Sequence, residues 1–308
     1  MTHVLVTGGT GLIGRPLVDA LLARGDRVTL LTRDVDRAVA LFHGRVEAIH
    51  WEELDQTRAA YAAVVNLAGE SLSAGRWTSE RKARIMESRV QTTRALVRAI
   101  AQFEQKPRVL VNASAIGYYG TSETATFTER DVCLPDNFLA QVVRAWEDEA
   151  SRAREAFVRV VFARFGVVLS LEGGALPSLL KPYQLGIGGT VGSGRQWLSW
   201  IHIGDVVGML LLAIDQTGLS GPLNVTAPAP VRMREMGKTI ALALQKPHWL
   251  PAPSFALRAL LGEMATLVLD GQRVLPTVAQ THGYAFLYTN LQNALGDFVR
   301  TKDTSKAP

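Results

Sequence analysis

The stretch that decides the fold lies at residues 3–14 and reads HVLVTGGTGLIG. Its Val- and Leu-rich beginning, His3–Thr7, predicts a short strand, and glycines follow at positions 8, 9, 11 and 14. From Leu12 onward, apolar residues recur with helical spacing. A strand, a glycine-rich turn and a helix in this order are typical of a dinucleotide-binding unit.

The glycines of this turn satisfy two overlapping patterns, Gly9-x-Gly11-x-x-Gly14 and Gly8-x-x-Gly11-x-x-Gly14. Each glycine has a task that a side chain would prevent. The first allows a tight turn, the second lets pyrophosphate approach the backbone, and the third lets the helix pack closely on the strand. The free amides and the positive dipole end of the helix then favour phosphate groups. The predicted cofactor contacts in this turn are Gly8, Thr10, Gly11, Leu12 and Ile13.

The end of the second predicted strand, Arg27–Thr32, indicates which dinucleotide binds. A site that prefers NAD usually has a carboxylate there, which binds the ribose 2′-hydroxyl. This chain has Thr32 and Arg33 instead, and an arginine pairs with a 2′-phosphate that a carboxylate would repel. The sequence therefore predicts NADP(H) as the cofactor, and a solvated loop arginine is the alternative reading of Arg33.

Strand and helix patterns alternate along the first half of the chain. Further strands are predicted at residues 46–50, 62–67, 108–113 and 158–169, and helices at 35–42, 77–100 and 137–153. Strands that are apolar almost throughout predict a parallel sheet with both faces covered. The expected fold is α/β, a Rossmann-type doubly wound sheet with a small C-terminal lobe that forms a substrate lid.

The composition of the chain changes at Gly173, where glycine-rich loops begin. Asp205 is predicted to be the N-cap of an apolar helix, and residues 255–269 and 291–299 are predicted to be amphipathic helices. The predicted units are an NADP-binding core at 1–170, further core elements and substrate-side loops at 171–246, a C-terminal helical domain at 247–300, and a frayed tail at 301–308.

The composition limits the class of protein. The chain has 308 residues, 47% of them hydrophobic and 20% charged, which indicates a compact domain rather than a disordered one. Its net charge is +5 without a Lys/Arg block, so a nucleic-acid partner is weakly supported. Cys133 is the only cysteine, and no apolar run is long enough to span a bilayer. With a strand beginning at residue 3, these features predict a cytoplasmic protein without a membrane or metal partner.

Two later strand ends supply further candidate site residues. Small residues follow the fourth strand at Ala68 and Gly69, where a nucleotide can lie against the backbone. The fifth strand leads into residues 114–120, at the edge where open α/β sheets bind ligands. Ser114 and Tyr118 there could hold and protonate a carbonyl oxygen, and a turn that merely caps the sheet is the alternative.

These residues together resemble the extended short-chain dehydrogenase/reductase superfamily, specifically the NAD-dependent epimerase/dehydratase-like proteins. The shared motifs are Thr7-Gly8-x-x-Gly11-x-x-Gly14, NLAG at 66–69, the serine-to-glycine stretch 114–120, RFG at 164–166 and WIHxxD at 200–205. Further motifs, such as NLAGES at 66–71, GGALP at 173–177 and GQRVLP at 271–276, resemble a branch of uncharacterised members with a C-terminal domain of unknown function. The resemblance implies cofactor contacts at Leu67, Ala68, Gly69, Ala113 and Arg164, and it leaves a homodimer open.

One departure from the family pattern concerns catalysis. Members of the superfamily use a Tyr-x-x-x-Lys pair on the helix after the serine, in which the lysine lowers the pKa of the tyrosine that transfers the proton. The corresponding stretch here, NFLAQVVR at 137–144, contains neither residue. Substitutes are Tyr118 or Tyr119 as the acid, Arg89 as the positive charge and Glu70 as an acid or base, with Trp200 as a substrate contact. A structural ion pair between Arg89 and Glu70 is the alternative for those two residues.

The sequence therefore supports an NADP(H)-dependent oxidoreductase or nucleotide-sugar-type epimerase with an unconventional proton donor and an unknown small-molecule substrate. A non-catalytic NADP(H)-binding sensor or scaffold is the main alternative. Binding to nucleic acid or to the division machinery rests only on the mild basicity of the chain.

Overall fold

The computed structural model describes residues 2–304, and it describes side chains up to residue 300. Within this part of the chain the strands are β1 (His3–Thr7), β2 (Arg27–Leu31), β3 (Glu47–Ile49), β4 (Ala63–Asn66), β5 (Val109–Ala115), β6 (Thr126–Phe127), β7 (Arg159–Phe165), β8 (Val167–Ser170), β9 (Gly173–Gly174), β10 (Trp197–Leu198), β11 (Trp200–His202), β12 (Gly221–Val225), β13 (Val231–Arg232) and β14 (Arg273–Val274).

The helices in the same range are α1 (Gly14–Ala23), α2 (Val35–Leu41), α3 (Ser79–Gln102), α4 (Phe138–Ser151), α5 (Ala175–Gln184), α6 (Ile203–Asp215), α7 (Met233–Leu244), α8 (Ser254–Leu261), α9 (Thr266–Leu269), α10 (Thr277–Thr281) and α11 (Leu291–Thr304). Short 3-10 helices lie at Trp51–Gln56, Ile116–Tyr119, Arg152–Ala156 and Gly262–Ala265. None of the helices within residues 2–304 is long and apolar enough to cross a membrane.

The central sheet has seven strands in the order β12-β7-β5-β4-β1-β2-β3, and every neighbouring pair is parallel. β1 lies between β2 and β4, so that Thr7 pairs with Leu31 on one side and with Asn66 on the other. The order in which strands are added to the sheet reverses at β1, because β2 and β3 follow on one side of it and β4 begins the other side. In open α/β sheets this switch point opens a crevice at the carboxyl ends of the strands. The predicted α/β fold with a parallel sheet is confirmed.

Helices cover both faces of this sheet. On one face α1 and α6 bury Leu17, Leu21 and Met209 against β1 and β2, and on the other α3 buries Leu96 and Ile100 against β4 and β5. Each of these side chains is almost fully buried, and burying an aliphatic side chain of this size contributes about 1.5–3 kcal/mol. The strands read as continuous apolar runs because both faces are covered.

The strand predicted at residues 158–169 is wrong as a single element. β7 ends at Phe165 and β8 begins at Val167, which pairs with β11 in a separate sheet. Gly166 allows the chain to leave the central sheet, because a Cβ atom there would lie 2.3 Å from the main-chain oxygen of Ser199. A run of apolar residues contains no signal for such a contact between distant segments.

The prediction that Asp205 caps the following helix is also wrong. His202 is the N-cap of α6, and its Nδ1 accepts the Gly204 amide at 3.0 Å. Asp205 lies inside the first turn, fully buried, and accepts the amides of Leu287 and Tyr288 at 2.8 and 3.0 Å. The aspartate therefore ties the C-terminal part of the chain to α6.

The C-terminal segment packs onto the rest of the chain at several points. β14 pairs in parallel with β6, and α11 packs on α7. The helix predicted over 255–269 is divided into α8, a 3-10 turn and α9, because Gly262 adopts a φ of +61°. The predicted tail at 301–308 overlaps α11, which continues to Thr304, and residues 305–308 lie outside the described part of the chain.

Candidate functional site

The turn between β1 and α1 depends on its glycines for steric reasons. Gly8 has a φ of +66°, and a Cβ atom there would lie 2.7 Å from the carbonyl carbon of Leu67. A Cβ atom at Gly14 would lie 2.2 Å from the main-chain oxygen of Gly8. No side chain caps the N-terminus of α1, so the first amides of the helix have no side-chain acceptor. This cradle fits a diphosphate.

A cleft of about 690 Å³ begins at this turn and extends across the carboxyl edge of the sheet. The predicted site residues that line it are Gly8, Gly11, Leu12, Ile13, Leu67, Gly69, Arg89, Ala113 and Ser114. The structure thus brings together residues from the ends of β1, β4 and β5, which are separated by more than a hundred positions in the sequence. The end of β1 also holds the residues that follow β4, since Thr7 Oγ1 accepts the amides of Leu67 and Ala68 at 3.1 and 3.2 Å.

Other predicted cofactor contacts lie outside the wall of this cleft. Thr10 is exposed in the glycine turn, and Thr32 follows β2, where its hydroxyl accepts the amide of Asp34 at 3.2 Å. Arg33 is exposed and forms no ion pair within the side chains described, residues 2–300. A free guanidinium at the end of β2 is available to a 2′-phosphate.

Ser114 lines the cleft, and its hydroxyl donates a 2.5 Å hydrogen bond to Oε1 of Glu147. Arg164 binds both oxygens of that carboxylate, through Nε and Nη2 at 2.8 Å each. Both members of this ion pair are buried, which is favourable only when the polar atoms are well paired. Arg164, predicted to be a cofactor contact, is thereby occupied with Glu147 behind the wall of the cleft.

The two tyrosines after Ser114 are not among the residues that line the cleft. The guanidinium carbon of Arg164 lies 3.4 Å from the centroid of the Tyr118 ring, a cation–π contact. The Tyr119 hydroxyl accepts from Arg164 at 2.9 Å and donates to Asn224 at 2.8 Å. Burial raises the pKa of Tyr119 to about 12, which makes this phenol a poor acid. Tyr118, the predicted proton donor, therefore packs on Arg164 and is not part of the cleft wall.

The helix that follows Ser114 in the chain presents an apolar surface to the cleft. Its lining residues are Phe138, Leu139, Val142, Val143 and Trp146. Asn137, at the N-cap of α4, accepts the amide of Ala140 at 3.0 Å and so holds the start of the helix. α4 contains neither a tyrosine nor a lysine.

The alternative of an ion pair between Arg89 and Glu70 does not match the contacts of either side chain. The Glu70 carboxylate pairs with Arg81 at 2.7 Å. Arg89 donates instead to the main-chain oxygens of Ile85 and Glu70, at 3.0 Å each. Burial lowers the pKa of Arg89 to about 10. The guanidinium on the cleft wall is therefore a partly desolvated cation that hydrogen-bonds to main-chain oxygens.

Trp200 lies in the core between β8 and the helices α5 and α7, with no exposed surface. Its indole N–H donates to the Ala229 carbonyl at 2.9 Å. A side chain in this position has no surface for a substrate contact. Sequence periodicity cannot separate a buried tryptophan from one that faces a cleft.

Several lining residues have no counterpart among the predicted site residues. They come from the loop before α3, from β10 and from the C-terminal segment: Leu72, Trp77, Trp197, Glu263, Thr266, Leu267, Asp270 and Gln272. The expected C-terminal lid was the signal for the lining residues of that segment, and the missing Tyr-x-x-x-Lys pair at 137–144 was the signal for the apolar surface of α4. Within the described residues, no cluster of His, Cys, Asp and Glu could hold a metal ion.

Comparison with known proteins identifies the family. Residues 4–225 match the family model described as "NAD dependent epimerase/dehydratase family", and residues 252–298 match DUF1731, a domain of unknown function. The chain belongs to the NAD dependent epimerase/dehydratase family. The resemblance seen in the sequence motifs is thereby confirmed.

The epimerase-family relatives match over nearly the whole chain. "Epimerase family protein YfhF" of Bacillus subtilis is 42% identical over 303 residues, which cover 98% of this chain and 99% of the relative. The crystal structure of the human epimerase family protein SDR39U1 with NADPH has a TM-score of 0.89 and 35% identity, and covers 97% of this chain and 99% of that one. A structure described as the nucleoside-diphosphate sugar epimerase from Corynebacterium glutamicum has a TM-score of 0.76 and 31% identity; the match covers 99% of this chain and 61% of that one.

Proposed function

We propose that this chain binds NADP(H) and uses it for hydride transfer to or from a small molecule, as an oxidoreductase or epimerase without a Tyr-x-x-x-Lys pair. The observation that carries the proposal is that one cleft runs from the glycine turn past Ser114 to Arg89. The human relative crystallised with NADPH has a similar fold along almost the whole chain, which supports the choice of cofactor.

The cofactor contacts follow from the geometry of the strand ends. The amides at the start of α1 would hold the diphosphate, with Gly8 and Gly14 leaving room for it. Arg33 would pair with the 2′-phosphate. Leu67, Gly69 and Ala113 would lie against the body of the nucleotide. When bound, NADP(H) supplies or accepts the hydride.

Two polar side chains would orient the substrate beside the cofactor. Because Ser114 donates its proton to Glu147, its lone pairs are what it offers to the cleft, and it would accept a hydrogen bond there. Arg89 would donate to a substrate oxygen on which negative charge develops during the transfer. The five N–H donors of a guanidinium allow this, since the bonds to Ile85 and Glu70 occupy only part of them.

The proposal is tested by titrating the purified protein with NADPH, using intrinsic fluorescence or calorimetry. A Gly14→Ala variant places a methyl group against the Gly8 oxygen, and we expect at least a tenfold loss of NADPH affinity, about 1.4 kcal/mol. Gly218→Ala is the matched control, since nothing lies within 4 Å of its Cβ position. Circular dichroism would confirm that both variants fold. A parent protein with no affinity for NADPH contradicts the proposal.

A non-catalytic NADP(H)-binding sensor or scaffold is the second candidate function. It is favoured by two observations. The Ser114 hydroxyl donates its proton to Glu147 rather than to the cleft, and α4 presents an apolar surface there in place of acid or base side chains. On this alternative, NADPH raises the melting temperature but is not oxidised in the presence of aldehydes, ketones or sugar nucleotides. Oxidation of NADPH by any of these compounds favours the enzyme.

A further inference from the structure

The outer part of the cleft, beyond the predicted nucleotide contacts, has a mainly apolar wall. Its large apolar side chains are Leu72, Trp77, Phe138, Leu139, Trp197 and Leu267. The polar atoms of the tryptophans are already used, because the Trp77 indole donates to the Leu72 carbonyl at 2.9 Å and the Trp197 indole donates to the Glu123 carbonyl at 3.0 Å. Neither indole N–H is therefore available to a ligand, and the Trp197 ring already carries the Arg232 guanidinium, whose carbon lies 3.7 Å from the ring centroid.

Four of the polar side chains near this wall are engaged with the protein itself. The Ser199 hydroxyl donates to the Gln272 carbonyl at 2.8 Å, and the Gln272 amide donates to the Ile116 carbonyl at 2.9 Å. The Thr266 hydroxyl donates to the Glu263 carbonyl at 3.0 Å, and the Glu263 carboxylate pairs with Lys82. A sugar ring buried here would leave hydroxyl groups without partners, which costs free energy.

Arg89 is the only positively charged residue among the described residues that line the cleft. The charged lining residues besides it are Glu263 and Asp270, which are acidic. Glu70, whose main-chain oxygen accepts a hydrogen bond from Arg89, has its carboxylate paired with Arg81. The Arg89 guanidinium also lies 5.1 Å from the Trp146 ring, so its charge sits on an apolar surface. A nucleotide sugar would bring two further phosphates to a wall whose described lining residues include one cation, Arg89, and one acid without a salt-bridge partner, Asp270, since Glu263 pairs with Lys82.

We propose that the outer part of the cleft takes a flat apolar compound whose carbonyl or carboxylate oxygen binds Arg89, and that it does not take a nucleotide sugar. This inference rests on the proposed function, since it assigns the substrate class of the same site. The ring of the compound would lie against the apolar side chains of this wall, Trp77 and Phe138 among them, with its polar oxygen directed toward Arg89. Apolar contact supplies affinity in such a site, and the single polar anchor supplies orientation.

The test is calorimetric titration of the protein, free and saturated with NADPH, with three probes. They are 2-naphthoate, its cationic counterpart 2-(aminomethyl)naphthalene, and UDP-glucose. We expect 2-naphthoate to bind at least about tenfold more tightly than the amine, because a charge-assisted hydrogen bond favours the anion. We expect UDP-glucose to show no binding.

Variants separate the anion contact from the apolar contact. Arg89→Met should abolish the preference for 2-naphthoate over the amine, and Arg89→Lys should retain part of it, with any loss of NADPH affinity smaller than the loss of 2-naphthoate affinity. Arg98→Met is the matched control on α3, since Arg98 is exposed. Trp77→Ala should weaken both naphthalene probes equally, and it keeps the test available if the Arg89 variants do not fold.

The outcomes distinguish this inference from the proposed function. Binding of 2-naphthoate without any binding of NADPH would overturn the proposed function alone. Binding of NADPH together with UDP-glucose, and not with 2-naphthoate, would overturn the inference alone. A loss of NADPH affinity in Arg89→Met as large as the loss of 2-naphthoate affinity would assign Arg89 to the cofactor and overturn the inference as well.

Discussion

Ser114 and Glu147 form a 2.5 Å hydrogen bond behind the wall of the cleft, with the serine as the donor. Both are buried, and Arg164 closes the arrangement by binding both carboxylate oxygens. Arg164 also packs on Tyr118 and donates to Tyr119. Ser114 is therefore held in one orientation by a charged network that reaches from the cleft into the core.

We predict that Glu147→Gln destabilises the fold, because it leaves Arg164 as a buried cation with a weakened partner. Breaking a buried ion pair typically costs about 3–5 kcal/mol, and the midpoint of urea denaturation should fall accordingly. Glu80→Gln is the control, since the Glu80 side chain is exposed and pairs with Arg84 on the same helix. The change there should stay within about 0.5 kcal/mol. Equal midpoints for the two variants would show that the Ser114–Glu147–Arg164 network is not a major source of stability.

A second prediction concerns the choice of nicotinamide nucleotide. Arg33→Ala should weaken NADPH binding by about tenfold or more and leave NADH binding nearly unchanged, because only NADPH carries the 2′-phosphate. Affinities are measured by fluorescence titration with both nucleotides. The control is Arg58→Ala, which removes an exposed arginine before the amino end of β4, away from the carboxyl edge of the sheet. Equal losses for NADPH and NADH would refute the role of Arg33.

The central sheet could be predicted from the sequence because its signals are local. The apolar runs of β1, β2, β4 and β5 and the glycine turn each lie within a few residues, and the structure has them within a residue or two of the predicted bounds. The break at Gly166 depends on Ser199, more than thirty positions away. The pairing of the two-residue strands β6 and β14 depends on segments still farther apart. Such contacts leave no periodic pattern.

The candidate site, like the fold, could be predicted from the sequence only where its signals are local. The strand ends that line the inner cleft were expected from the parallel order of the sheet alone. The pairing of Arg164 with Glu147 could not be expected, since the two residues lie on different elements and the RFG motif at 164–166 does not indicate a partner. A C-terminal lid was expected, but the individual residues of the outer wall, Trp77, Trp197 and Leu267, could not be named because they meet only in the folded chain.

A third prediction concerns residues 254–269, of which Glu263, Thr266 and Leu267 line the outer cleft. α8 buries none of its own residues, and Arg76 holds its C-terminal end by donating to the carbonyls of Ala259 and Leu260. Lys82 pairs with Glu263 in the turn that follows. Arg76→Met should therefore increase the rate of amide exchange in α8 by about tenfold, because it removes one charge-assisted contact that holds the helix in place.

Hydrogen exchange measured by mass spectrometry tests this prediction, with the peptide over α7 as an internal reference. Arg84→Met is the control variant, since Arg84 is half-exposed and pairs with Glu80 rather than with the C-terminal segment. Unchanged exchange in residues 254–261 of Arg76→Met would mean that other contacts hold the segment in place.

The final prediction concerns the loss of stability in acid. Burial lowers the pKa of His202, and Asp297 at 3.5 Å and Asp205 oppose that shift. The ring also packs on Tyr288 and Phe298. With a folded pKa below the unfolded value of about 6.5, the folded state binds fewer protons. Stability is therefore full above pH ~6.5 and falls as the pH drops from there toward the folded pKa. Burial lowers the pKa values of His3 and His248 too, and they act in the same direction.

His202→Asn removes this titration and keeps an oxygen that can accept the Gly204 amide at the N-cap of α6. We expect the variant to be less stable at pH 7.5, because it loses the ring packing, and to lose less further stability between pH 7.5 and pH 5.5 than the parent does. Urea denaturation at both pH values measures the difference. His43→Asn is the control, because His43 is exposed and its φ of +54° suits asparagine. If His202→Asn and the parent lose the same stability on acidification, protonation of His202 is not what destabilises the fold.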